Sequence, residues 1–153
     1  MASVMGPAYS IWLEEWTDGG FLPQHGRWEF AMTTSDLLDL MTLQNLVDLD
    51  DGGHGLLSEM IDIFREDTPR RIRDILRAND QGHAEELSRA AHALKGGAGA
   101  LGAEALRVLA SRLENLGRSG SVDAGPDLPQ RIETTFQSTL AALEAYVAQM
   151  KNG

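Results

Sequence analysis

Apolar residues recur at three- and four-residue steps along most of the chain, the spacing of helices that bury one face. A short stretch begins at Ser35, and four longer ones span about 56–79, 83–100, 106–117 and 128–150. Alternation typical of strands is scarce. The pattern therefore predicts an all-α fold: an antiparallel four-helix bundle with an additional short N-terminal helix.

Gly, Pro and Asp residues mark the expected breaks between these helices. Residues 48–55 and 119–126 are predicted to be loops, the second of them exposed, and Gly102 and Gly117 are predicted to end the second and third long stretches. Pro69 falls inside the first long stretch, where Thr68 offers an N-cap. The helix there is expected to be either kinked or split in two, and both alternatives remain open.

Residues 1–35 differ from the rest of the chain, because they hold all three Trp residues together with Tyr9, Phe21 and Phe30. We divide the chain into this aromatic-rich N-terminal extension and a helical domain over residues 36–153. The extension is interpreted as a strap that packs on the domain. The alternative is a docking segment for a partner, since Trp and Tyr dominate interface hot spots.

Composition narrows the class of protein. A chain of 153 residues with 23 acidic and 13 basic side chains carries a net charge of −10, which disfavours nucleic acids and anionic membranes as partners. With no Cys there is no disulfide, thiolate zinc site or cysteine nucleophile. No 18-residue apolar run and no signal peptide is recognised. We expect a soluble, cytoplasmic monomer.

The helix over residues 83–100 carries the candidate chemistry. With 100° per residue, His92 points away from the stripe of Leu87 and Leu94, towards solvent. Glycines destabilise a helix interior by about 1 kcal/mol each, so a cluster of them favours close approach by another molecule. A neutral imidazole is a nucleophile, and an adjacent ammonium stabilises a transferred phosphoryl group. The same exposed side holds Glu85, Ser88, Gly96 and Gly99, with Lys95 at its border.

Residues 91–103, AHALKGGAGALGA, resemble the signature of histidine-containing phosphotransfer domains, H-x-L-K-G followed after five residues by G-A. Phe64, Pro69 and the pair Leu113-Glu114 also agree with that family. The resemblance covers roughly residues 36–150.

The resemblance implies a helical bundle that accepts a phosphoryl group on the outer ring nitrogen of His92 from the phospho-aspartate of a receiver domain, and passes it to another receiver. Lys95 is expected to assist by its charge, and Gly96 to leave room for the phosphoryl group. Glu114 occupies a position where family members carry a polar residue near the site. The residues expected to contact a partner are Glu85, Ser88, Arg89, Gly99 and Glu114.

The resemblance also implies what the chain does not need. The receiver brings the magnesium ion, so no metal or other cofactor is expected here, and the chain has no phosphate-binding G-x-x-x-x-G-K-[ST] loop. We therefore expect a relay rather than an ATP-dependent kinase. The expected partners are response-regulator receiver domains and a hybrid histidine kinase.

Other interpretations remain open. The same face would suit a helical adaptor that binds a receiver or kinase without transferring phosphate, and H-x-x-K-G also occurs in the phosphoacceptor domain of chemotaxis kinases, which ordinarily continues into further domains. A basic stretch is interpreted as a solvated helix face, or alternatively as a guide for an acidic receiver surface. This stretch comprises Arg65, Arg70, Arg71, Arg73 and Arg77.

Overall fold

The computed structural model describes residues 34–50 and 55–152, and all regular secondary structure within them is helical. The predicted all-α class is therefore confirmed. The N-terminal extension, apart from its last two residues, lies outside the described part of the chain. The helices are α1 (Thr34–Leu37), α2 (Leu40–Leu49), α3 (Gly55–Gln81), α4 (Ala84–Ala100), α5 (Glu104–Arg118) and α6 (Leu128–Asn152).

The four long helices, α3 to α6, enclose one apolar core. Helix α4 packs most extensively against α5, while α3 contacts both α4 and α6. The predicted stripe of α4 is buried, with Leu87, Ala91 and Ala98 fully inaccessible to solvent. Helices α1 and α2 cover the edges of this core, through Leu37 on one and Leu43 on the other.

Helix α3 continues unbroken through Pro69. Thr68 is buried in the helix interior and does not begin a new helix, so the split alternative is wrong. A proline removes one backbone hydrogen bond from a helix. The packing of Phe64 and Ile72 on the two sides of it contributes the compensating burial of apolar surface.

Two of the predicted loops are shorter or better packed than expected. Helix α2 includes Asp48, and its following residue Asp50 accepts a hydrogen bond from the backbone N–H of Leu56 at 2.9 Å, which caps the start of α3. In the segment after α5, Ala124 is only 1% exposed, and Val122 packs against the core. That loop is anchored by apolar contacts, so its prediction as an exposed segment is wrong at these residues.

Glycines determine how α4 meets α5. Gly102 ends the turn between them at a φ of +74°, a conformation that favours glycine. Gly117 does not end its helix as predicted, since α5 continues to Arg118. A β-carbon on Gly117 would lie 2.5 Å from the carbonyl oxygen of Ala84 and 2.7 Å from the backbone nitrogen of Ser88. The two helix backbones therefore touch at Gly117.

This contact predicts that Gly117→Ala lowers the free energy of unfolding by about 2–3 kcal/mol, because backbone atoms cannot yield as a flexible side chain would. Gly97→Ala is the matched control, since no atom of residues 34–50 and 55–152 outside its own helix lies within 4 Å of a β-carbon there. It should raise stability by about 1 kcal/mol through helix propensity. Urea unfolding monitored by circular dichroism measures both changes. A Gly117→Ala protein as stable as the wild type would contradict the close approach.

Candidate functional site

His92 lies on the open side of α4, and its side chain is 67% exposed. The buried residues of the same helix, Leu87, Ala91 and Leu94, point the other way, into the core. The outward direction that the helical spacing predicts for His92 is thus observed. Within the described part of the chain, the imidazole has its hydrogen-bond partner on the neighbouring helix α5.

The support comes from the carboxylate of Glu114, whose side chain is only 3% exposed. Its Oε2 lies 2.8 Å from Nδ1 of His92, and its Oε1 lies 2.6 Å from Nζ of Lys95. Arg118 donates a further hydrogen bond to Oε2 at 3.1 Å. One buried carboxylate thus connects three basic side chains from two helices.

Glu114 is held in its ionised form. The hydrogen bond from Lys95 lowers the pKa of this carboxyl below its usual value of 4.5, with further lowering by the hydrogen bond to His92 and by the charges of Lys95 and Arg118. Burial acts in the opposite direction and is outweighed. At neutral pH Glu114 is therefore a hydrogen-bond acceptor only.

The ionised carboxylate decides which nitrogen of the imidazole carries hydrogen. Because Glu114 can only accept, the 2.8 Å contact requires Nδ1 of His92 to donate. In the neutral ring the second nitrogen, Nε2, then has no hydrogen and presents its lone pair. The fixed tautomer leaves a nucleophilic nitrogen on the exposed part of the ring.

Space is available on this part of α4. Among the described residues, no atom lies within 4 Å of a β-carbon placed on Gly96 or on Gly97, apart from those of its own helix backbone and chain neighbours. Gly96 follows His92 by one helical turn and lies on the same side of the helix. A group attached to the ring can therefore extend over Gly96 without a clash.

The other predicted site residues differ in their exposure. Glu85 and Arg89 are exposed and form an ion pair at 3.3 Å, whereas Ser88 is half-buried where α4 touches Gly117. Gly99 was expected on the exposed side of the helix. The aliphatic part of Arg107 packs over it, at 3.4 Å from the position of a β-carbon.

Glu114 also differs from its prediction as a partner contact. Its side chain is buried and has contacts with residues of its own chain. The physical reason is its position on α5, one turn after the buried Ala110 and next to the buried Leu113. In the structure this carboxylate contacts His92 and Lys95 of its own chain.

Arg118 is the residue of this group that the sequence reasoning missed. It follows Glu114 by four residues, the spacing at which oppositely charged side chains meet on a helix. That spacing was the available signal. The side chain of Arg118 is 66% exposed, so this cation reaches from the buried carboxylate to the surface beside His92.

The basic stretch of α3 is largely neutralised by its neighbours. Arg65 pairs with Asp62 and with Glu144 of α6, and the other ion pairs stay within α3. Those pairs join Arg70 and Arg71 to Asp67, and Arg77 to Asp74. These arginines form the solvated helix face that the sequence favoured.

Two further searches concern residues 34–50 and 55–152 alone. No helix in these segments is both long and apolar enough to cross a membrane. Nor do they contain a group of three His, Asp or Glu side chains arranged to hold a metal ion.

Both the sequence and the fold of this chain are similar to those of known proteins. Residues 59–153 match the family model of the Hpt domain. The fold is similar to the crystal structure of histidine-containing phosphotransfer protein B (HptB) from Pseudomonas aeruginosa PAO1, with a TM-score of 0.63 and 27% sequence identity over 73% of this chain and 95% of that one. No curated protein matches the sequence. Since the family model spans more than half of the sequence, the chain belongs to the Hpt domain family, the histidine phosphotransfer modules of two-component signalling.

Proposed function

We propose that this protein carries a phosphoryl group on Nε2 of His92, accepting it from the phospho-aspartate of one receiver domain and passing it to another receiver. The observation that carries the proposal is the hydrogen bond between Nδ1 of His92 and the buried carboxylate of Glu114. It supports the tautomer in which the exposed nitrogen is the nucleophile.

The groups of the two proteins account for every bond formed or broken in the transfer step. The lone pair of Nε2 attacks phosphorus, and the P–N bond forms as the bond from phosphorus to the aspartate oxygen breaks. The aspartate leaves as a carboxylate with the bonding electrons. The ring keeps its hydrogen on Nδ1, and the positive charge that develops on it faces Glu114. The reverse transfer uses the same atoms.

Three neighbours support the phosphorylated state in this proposal. Lys95 and Arg118 place two cations at the carboxylate next to the ring, where they offset the negative charge of the added group. Gly96 leaves the space that the phosphoryl oxygens require. Glu85, Ser88 and Arg89 lie on the same side of α4 and are proposed to contact the receiver, together with the surface around Gly99.

The arrangement of the partners follows from this chemistry. The four long helices are proposed to run antiparallel in one bundle, which presents His92 on a convex helix surface. The receiver is proposed to supply the magnesium ion, since the chain's own part is that of the nucleophile. A hybrid histidine kinase that carries a receiver is a candidate donor. The protein itself is proposed to act as a monomer.

Replacement of the nucleophile tests the proposal directly. A phosphorylated receiver mixed with the wild-type protein should transfer label that is stable in alkali and labile in acid, as a phosphoramidate bond is. His92→Gln should accept no label while it keeps the helical circular dichroism spectrum, because the side chain is exposed and outside the core.

A phosphate-independent adaptor gives the opposite pattern. Binding to receivers that is equal in the wild-type and His92→Gln proteins, with no label on either from a panel of competent receivers, would overturn the relay and establish the adaptor.

Loss of the carboxylate charge should slow transfer by about tenfold or more, because Glu114→Gln removes both the orientation of the ring and the negative charge facing it. Single-turnover transfer from a phosphorylated receiver measures this rate. Glu133→Gln removes one charge from α6, which contributes none of the site residues, and should leave the rate unchanged. Equal rates for both variants would remove Glu114 from the mechanism.

The ionisation of Glu114 should also appear in the pH dependence of stability. Since folding lowers its pKa, its contribution is present above the usual value of 4.5 and is lost as the pH falls through the lowered pKa. The difference in unfolding free energy between the wild type and Glu114→Gln should therefore be constant near neutral pH and shrink below 4.5. Urea unfolding down to about pH 3 measures it. A difference that grows on acidification would contradict the assignment.

A further inference from the structure

We propose that the surface around His92 is a cationic docking face on an otherwise acidic protein, and that it steers the acidic, phosphate-bearing surface of the partner into register. This inference rests on the proposed function, since it concerns how a receiver reaches the same histidine. The face is defined as the exposed side of α4 around His92 together with the adjoining polar side of α5.

The balance of charge on this face is opposite to that of the whole protein. It holds four cations against three anions among the described residues, whereas the chain has 13 basic and 23 acidic side chains. The cations are Arg89, Lys95, Arg107 and Arg118, and the anions are Glu85, Glu104 and Glu114.

Burial increases this contrast. The carboxylate of Glu114 is covered, and that of Glu104 is held by two hydrogen bonds from Arg107, at 3.0 and 2.7 Å. Arg89 and Arg118 instead project into solvent, at 68% and 66% exposure. The most exposed charges of the face are thus two guanidinium groups and one carboxylate, that of Glu85.

Glu85 is the exposed anion of the face, and it partly offsets Arg89. Their ion pair spans 3.3 Å between two largely exposed side chains on neighbouring turns of α4. Exposed pairs of this kind are weak and readily exchanged for another partner. Arg89 is thus available to an incoming anionic surface, and Glu85 opposes the same approach.

Helix α3 lacks this property, although its sequence contains more arginines. Its five arginines are outnumbered by six acidic residues on the same helix, so the charge balance of α3 is negative. The proposal therefore places the electrostatic guidance on α4 and α5 rather than on α3.

The charges of the docking face act on the rate at which the partner arrives and on its orientation when it meets the protein. A partner that presents a phosphoryl dianion and its surrounding carboxylates is repelled by the net charge of −10 and attracted by the local charge at His92. Such a distribution favours the approach in which the two reactive groups face each other. Rim charges of this type act mainly on the association rate and make it depend on salt.

A measurement without any partner tests the face itself. Paramagnetic relaxation of backbone amide protons is recorded with a soluble nitroxide that carries a carboxylate, and again with one that carries an ammonium group. At each amide, the ratio of the relaxation enhancements caused by the two probes reports the local electrostatic potential. The anionic probe should be enriched at Gly96 and Gly97 relative to exposed amides elsewhere, and Arg89→Gln should reduce that enrichment. Depletion of the anionic probe there, as expected over the rest of an acidic protein, would overturn the proposal.

Two substitutions of opposite sign test its effect on encounter. The probe is the receiver domain from a panel that binds the wild type most tightly, labelled with a fluorophore and mixed by stopped flow. At low salt Arg89→Gln should slow association by about two- to fivefold, and Glu85→Gln should accelerate it by a similar factor. Both differences should vanish in high salt.

Arg73→Gln is the matched control, because it removes the same charge from the exposed surface of α3. It should leave the association rate within about 1.5-fold of the wild type. Equal effects of Arg73→Gln and Arg89→Gln would show that net charge alone matters and would overturn the docking face.

The stopped-flow experiment measures binding and not phosphate transfer, so it tests the docking face separately from the proposed relay. A receiver that associates as predicted but transfers no phosphate overturns the relay and retains the face. A receiver that transfers phosphate at rates insensitive to residues 85 and 89 overturns the face and retains the relay. A panel in which no receiver binds overturns both.

Discussion

The contact between the backbones of α4 and α5 at Gly117 is the constraint on which the site depends. Helix axes normally stand apart by the thickness of the side chains between them. Here the absence of a side chain lets α5 touch the backbone of α4 at Ala84 and Ser88. Glu114 lies about one turn from Gly117 on α5, and His92 lies one turn from Ser88 on α4. The side chain of Glu114 can therefore reach Nδ1 of His92. A packing requirement and a chemical one are met by the same glycine.

A carboxylate buried beside this contact would be costly without partners, since an unpaired charge in a protein interior is strongly destabilising. Lys95 and Arg118 supply the compensation, one at each oxygen. The cations that offset the phosphoryl group in the proposed function therefore also stabilise the resting protein.

Much of this arrangement follows from the order of residues along single helices. The outward direction of His92, the open space at Gly96 and the turn at Gly102 are local properties, so helical spacing and glycine chemistry predicted them. The hydrogen bonds from His92 and Lys95 to Glu114 depend on the distance between two helices, and the spacing of residues along one helix does not reveal that distance. A polar residue one turn after Ala110, at the edge of the buried side of α5, was the visible sign. Gly117 was misinterpreted because a glycine near a helix end more often terminates the helix than packs within it. Ala124 was assigned to an exposed loop because polar and glycine-rich neighbours do not reveal a single anchoring residue.

In the proposed relay, the exposure of a single nitrogen on one helix surface limits how many receivers a carrier molecule can serve at once. In the proposed function the donor and the acceptor receiver both have to reach Nε2 of His92, and the hydrogen bond to Glu114 holds the ring in one orientation. Two receivers cannot occupy this position together. Each carrier molecule must therefore part from one receiver before it meets the next, and the residence time of these complexes sets an upper limit on how many phosphoryl groups it delivers.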